Sequence, residues 1–197
     1  MRRWLDGSGS WVAFTVPALL CGLALLAASA WLRPLEQGHA AAEAGRLDEA
    51  RERFAAAEAR FDRVPLAKRL LPSAYAAAQV HLLWVLYRLD DRDALLEKAA
   101  VAVPSAPVHF WSACALFSRA MEEVEPQARV GWLDRASEEF RKALALAPED
   151  WDTKYNYELT ERLLAQLRKE PQTPPKELLR LLRPRPRQGR APARRTG

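Results

Sequence analysis

The stretch Trp132–Tyr157, WLDRASEEFRKALALAPEDWDTKYNY, decides the reading of this chain. Leu133, Ala136, Phe140 and Ala143 fall at i, i+3, i+7 and i+10, one face of an α-helix. Pro148 stands five residues after Ala143, where it stops that helix, and Asp150 is in position to cap the next one. Much earlier, Leu47, Ala50, Phe54 and Ala57 repeat the same spacing with identical residue types. The logic is steric: small alanines let a neighbouring helix approach, and the phenylalanine fills the space between. A shift of 42 from the first copy gives Leu89, Arg92, Leu96 and Ala99, a degenerate third copy with Arg92 at a small-residue position. Pro104 follows Ala99 as Pro148 follows Ala143.

Working outward, the next helices follow from the same signals. An alanine-rich hairpin runs from Leu35 to Phe61, with Leu47, Phe54 and Phe61 facing inward. Pro65 and Pro72 bracket a short connection, and Ser73 is the expected N-cap of a helix to Leu89. Leu70–Tyr87 carries no charge over 18 residues, so a second membrane span competes with a buried helix. Pro72, Gln79, His81 and the alanine content favour the buried helix. Asp90-Asp91 caps the following helix, and Ser105-Ala106-Pro107 starts another with proline in its first turn. Val108–Phe117 is almost wholly apolar, as for a helix enclosed by neighbours. Glu125-Pro126 opens a helix over 126–147, and a last helix to Arg168 has no following partner, so it closes the stack.

These features resemble the tetratricopeptide repeat family. Its second helix carries small, aromatic and small residues at this spacing, with a proline after them. Gly45 to Ala50 matches the family's G-x-[large]-x-x-A start, Gly38 the glycine of the preceding helix, and Tyr155-Asn156 the aromatic–asparagine pair of a first helix. The proline-to-proline spacing is 44 rather than the usual ~34. The resemblance implies an all-α stack of antiparallel hairpins over 35–170 whose groove binds protein. On the closing helix it nominates Trp151, Lys154, Tyr155, Asn156 and Glu158 as groove residues. The family's peptide-clamp members have lysine where Tyr155 stands and asparagine where Leu159 stands, so carboxylate-terminus recognition is not implied.

Near the N-terminus a 1–10 head precedes a membrane-length segment, 11–32. Gly7 to Leu32 is uncharged. Trp11 to Trp31 spans 20 rises of about 1.5 Å, roughly the 30 Å of a bilayer core. Trp11 and Trp31 stand at its ends as interface anchors, Arg33-Pro34 follows as a stop, and Pro17 is tolerated in a membrane helix. Ala28-Ser29-Ala30 resembles a signal cleavage site, but the run exceeds a signal's ~7–15-residue core, which favours an uncleaved anchor. Arg2 and Arg3 favour a cytoplasmic N-terminus with the domain outside. Leu20 before Cys21 argues against a lipoprotein cysteine.

Pro171 begins a Pro/Arg-rich tail, 171–197, expected to be disordered. It holds eight Lys/Arg and one Glu, a contribution of +7 to the chain's +5, so residues 1–170 sum to −2. If the domain faced the cytoplasm, that tail would hold anionic lipid or nucleic acid; nucleic acid is otherwise not an expected partner. Cys21 and Cys114 make no disulfide framework. His39, His81 and His109 have no ligand spacing, no phosphate loop or nucleophile motif occurs, and Asp150/Asp152 lack a calcium loop. The chain is therefore expected to be no enzyme and to need no cofactor.

A narrower likeness joins Pro148–Glu158, PEDWDTKYNYE, to the Leu181-Leu182-Arg183-Pro184 element of the tail. The pair is similar to that of membrane-anchored repeat proteins of the MxaK/Bat type, encoded beside MoxR-type ATPases and von Willebrand A domain proteins. This implies a single-pass protein of the bacterial inner membrane, periplasmic domain outward. It also implies an accessory role in assembly or metal loading of a methanol dehydrogenase, with those ATPases and von Willebrand A proteins as partners.

Overall fold

A computed structural model describes the backbone of residues 8–169 and side chains from Thr15 onward. The tail 171–197, most of the head and the Trp11 side chain lie outside the described residues. Eight helices and no strand occur among them: α1 Ser8–Glu43, α2 Leu47–Arg63, α3 Pro65–Leu70, α4 Pro72–Arg88, α5 Arg92–Val101, α6 Ala106–Glu122, α7 Pro126–Leu146 and α8 Trp151–Lys169.

Contact positions give the helix directions. Trp31 meets Phe61, while Gly38 lies under Phe54, so α1 and α2 run antiparallel. Phe61 meets Tyr75 and Phe54 meets His81, so α2 and α4 are antiparallel too. His109 with Glu139 and Arg119 with Trp132 set α6 against α7, and Ser137 with Glu161 and Asp134 with Arg168 set α7 against α8. Alternate helices also touch: α4 packs on both α1 and α6.

Three buried clusters form the core, a small one of Ala113, Cys114 and Phe140 and two larger ones. One joins Ala41, Ala50, Phe54, Leu83 and Leu95 across α1, α2, α4 and α5. The other joins Leu116, Leu133, Ala136, Leu163 and Leu164 across α6, α7 and α8. Burying each large aliphatic side chain contributes about 1.5–3 kcal/mol. Both motif copies turn inward: Ala50 and Phe54 are 0% exposed, Leu133 and Ala136 0%, Phe140 1%. The uncharged 70–87 region is α4, enclosed by α1, α2, α3, α5 and α6.

Gln79, which interrupts that apolar run, is satisfied inside it. Its Nε2 donates to Glu58 Oε1 at 2.8 Å and to Tyr75 at 3.1 Å, and its Oε1 accepts from the Val103 N–H at 3.0 Å. Lys98 completes the group by bonding Glu58. A buried amide is tolerated because each of its polar atoms finds a partner.

The turns correct the repeat register. After α1, Gly45 takes φ +75°, with Gly45 N–H on Ala42 and Arg46 N–H on Ala41. After α4, Asp90 takes φ +61°, with Asp90 N–H on Tyr87 and Asp91 N–H on Leu86. Both are Schellman turns, and aspartate is among the few side chains that tolerate this conformation. Matching Gly45 to Asp90 shifts the chain by 45, not 42. Leu95 then falls where Ala50 stands, and Ala99 where Phe54 stands. Large and small have changed places, which hid the repeat, and Leu89 and Leu96 are not its members.

Other boundaries also move. Leu71, not Ser73, occupies the cap position of α4, and makes no side-chain cap. Ser105 precedes α6, but its hydroxyl is buried without a partner among the described residues. Asp91, Glu125 and Asp150 do cap, accepting from Ala94, Ala128 and Asp152 respectively. Arg33-Pro34 does not end the first helix: α1 continues through both Pro17 and Pro34 to Glu43.

Candidate functional site

The continuity of α1 has a specific cause. In an α-helix the residue-34 N–H would bond the residue-30 carbonyl, and proline has no N–H to give. Arg60, reaching from α2, donates Nη1 to the Ala30 carbonyl at 3.2 Å. One turn away Trp31 lies edge-on to Phe61, ring centres 5.9 Å apart. These contacts pin the apolar segment to the helical domain. Trp31 is half-buried, and its indole N–H is shielded without a hydrogen bond among the described residues. Arg33 is exposed. Above this junction α1 is long and apolar enough to cross a membrane, and its most apolar window is unburied. Among the described residues it is alone in that.

The five candidates on α8 divide. Trp151 is 75% exposed and Tyr155 59%, one turn apart, and Lys154 Nζ sits 4.7 Å over the Trp151 ring. Glu158 continues the stripe and pairs with Arg162 at 3.1 Å. Asn156 spends its amide on the Asp152 carbonyl, 2.7 Å away on its own helix. The opposite face, Thr153, Thr160, Leu163 and Leu164, carries the packing. Trp151 and Tyr155 stand outside that packed face. Two large aromatic side chains thus share one exposed helix face.

Three groupings were not readable in the sequence. Tyr87, Trp111, Phe110 and Phe140 form a chain of ring contacts at 5.2, 5.1 and 6.0 Å through α4, α6 and α7. Tyr157 packs on the same cluster, as does Cys114, whose thiol burial pushes far above its ordinary range. The Phe110-Trp111 pair was a visible signal, but an apolar helix hides which aromatics meet.

His39 and His81, 42 residues apart, sit ring to ring at 4.3 Å, and His81 stacks on Phe54 at 5.3 Å. Burial pushes His81 down to about 4, with the His39 charge acting in the same direction. Burial lowers His39 as well, against the opposing pull of Glu43 and Glu36. Both imidazoles are held neutral near pH 7. Among the described residues no three metal-ligating side chains converge.

Finally, an open cleft of about 380 Å³ lies between the α4–α5 turn and the end of α6. Five carboxylates line it against two arginines: Arg92 bonds Glu122 and Asp90, each at 2.6 Å, Arg119 bonds Asp93 at 2.7 Å, and Asp91 pairs with Arg51 from outside at 3.2 Å. The Arg92 guanidinium in turn holds Glu122 below the usual carboxylate range. Glu123 accepts backbone N–H bonds, from Val124 at 3.0 Å and Glu125 at 3.2 Å, so the cleft is net acidic.

Comparison with known proteins returns no matching family model, no similar curated sequence and no similar solved structure.

Proposed function

We propose that this chain is a non-catalytic, membrane-anchored scaffold that docks protein partners on a tetratricopeptide-like stack. The supporting pattern is the order α1–α2, α4–α5, α6–α7 as successive pairs, with α8 single after them among the described residues. Stacks of this kind bury one face of each hairpin and offer an extended face to partners. The observation that carries the reading is the exposed Trp151–Lys154–Tyr155–Glu158 stripe on α8. Aromatic side chains of this type dominate protein contacts because they bury much area at low entropic cost.

The likeness to MxaK/Bat-type proteins makes an accessory role in methanol dehydrogenase assembly or metal loading the first specific case to test. MoxR-type ATPases and von Willebrand A membrane proteins are its candidate partners, and a cytoplasmic N-terminus with the domain in the periplasm its topology. A C-terminal alkaline phosphatase fusion reports the topology; an inactive fusion reverses it.

The test of docking is site-specific photocrosslinking in the native membrane. A photoreactive residue at Trp151 or Tyr155 is expected to capture one discrete partner, while the same residue at Glu52 or Ala145 captures none. Equal capture from all four positions, or none from the α8 pair, removes the reading.

A further inference from the structure

The junction between the apolar segment and the domain carries chemistry that the scaffold reading leaves unused. A pocket of about 410 Å³ is lined by Ala30, Trp31, Arg60, Arg63 and Val64. Trp31 closes the uncharged run, so this pocket lies at the depth where an inserted helix leaves hydrocarbon for headgroups. Beside it, α3 is a six-residue helix packed on α2 and α4. Its leucines point outward: Leu66 is 61% exposed and Leu70 69%, next to Val64 at 39%.

Unpaired arginines concentrate at this end; elsewhere among the described residues Arg88, Arg129 and Arg135 also lack a carboxylate, but they are engaged by the Trp84 ring, the Glu123 carbonyl and the Trp132 ring. Arg46, Arg51, Arg92, Arg119, Arg141 and Arg168 each face a carboxylate within 4 Å. Arg33, Arg60, Arg63 and Arg69 face none among the described residues. Asp62, the carboxylate within this group, is taken up by Lys68 at 2.6 Å. Arg60 spends one donor on the Ala30 carbonyl, and a guanidinium has five. The end of the domain that meets the bilayer is therefore cationic, unneutralised and studded with exposed aliphatic side chains. An anionic phospholipid surface complements both properties.

We infer that this end docks on the leaflet that α1 leaves, with Arg60, Arg63 and Arg69 holding anionic phospholipid headgroups and Val64, Leu66 and Leu70 entering the interface. The inference rests on α1 being a membrane anchor. It makes the scaffold lie against the membrane at a fixed tilt instead of swinging from a tether.

The test uses the full chain in nanodiscs of phosphatidylcholine, alone or mixed with phosphatidylglycerol, read by hydrogen exchange. Segment 60–71 is expected to gain protection only with phosphatidylglycerol. In the Arg63→Gln/Arg69→Gln variant, which breaks no internal hydrogen bond, that gain is expected to fall by on the order of tenfold or more, given the strength of basic residues at anionic surfaces. Exchange in α6 and α7 should not change, which verifies folding. Equal exchange of 60–71 in both discs, with 15–30 still protected, overturns docking and leaves the anchor standing. Rapid exchange of 15–30 itself overturns the anchor and docking together. If inorganic phosphate added to pure phosphatidylcholine discs gives the same protection, the site belongs to a soluble anion and the lipid assignment is wrong.

Discussion

Phe54 and Phe140 stand at the same step of two identical residue patterns, and both are buried, at 0% and 1% exposure. Their surroundings are different. Phe54 lies over Gly38 and against both imidazoles of the His39–His81 pair. Phe140 meets Phe110 at 6.0 Å in a cluster with Ala113, Cys114 and Tyr157. The histidine of that second region, His109, faces Glu139 at 2.7 Å. One packing code thus serves two hairpins, and the residues outside the code decide how each responds to its conditions. The first is tuned by a neutral histidine pair, the second by a histidine–carboxylate contact.

Truncating the shared phenylalanine is the heaviest test of this difference. Phe54→Ala and Phe140→Ala are each expected to cost about 3–5 kcal/mol, measured by denaturant unfolding of the full chain in detergent. On the proposed stacked arrangement each pair leans mainly on its neighbours. Hydrogen exchange should therefore rise in α1, α2 and α4 for Phe54→Ala, and in α6, α7 and α8 for Phe140→Ala. Identical exchange maps for the two variants would mean one indivisible core and would break the comparison.

Acid is the next lever. His81 has its pKa depressed from 6.5 to about 4. A depressed histidine contributes stability that is complete above pH 6.5 and is lost as pH falls toward 4, because the unfolded chain takes the proton first. At about 1.4 kcal/mol per unit, full protonation removes about 3 kcal/mol from the packing of α4 on α1 and α2. In the second, burial works to raise the Glu139 carboxyl, but hydrogen bonds from Lys142 and His109 outweigh it and hold it below its ordinary range. Between pH 6.5 and 5, exchange in α2 and α4 should rise while α7 stays protected, and His81→Leu should flatten the α2 response. A steeper loss in α7 than in α2 would reverse the assignment.

How much of this was legible follows from which forces are local. The faces of α2 and α7, the proline stops and the Asp150 cap are written in spacing and residue type, and the helices form there. The register of α5 was hidden because Leu95 and Ala99 exchange large for small, which a search for identical types cannot find. The length of α1 was hidden because the donor that offsets Pro34 is Arg60, distant in sequence. The His39–His81 pair has the same origin: no i+3 or i+4 spacing announces two rings brought together by different helices. On α8, the sequence grouped Trp151, Tyr155 and Asn156 alike, and only the structure separates the exposed rings from the amide bound to Asp152.

Two helical glycines, Gly38 on α1 and Gly131 on α7, give the finest test. A Cβ built on Gly38 would lie 2.6 Å from Phe54 Cε1, and that ring cannot retreat, since it is 0% exposed and stacked on His81. Gly131, at the start of the second region on α7, has open space where its Cβ would go. Alanine is the better helix former at both positions, so the sign of the effect depends on packing alone. Gly38→Ala should destabilise by about 1–3 kcal/mol through overpacking. Gly131→Ala should stabilise by about 0.5–1 kcal/mol. Matched denaturant midpoints of the two variants against the parent chain decide it. A stabilising Gly38→Ala would show that α1 and α2 can separate without penalty, and that the first hairpin is looser than the second.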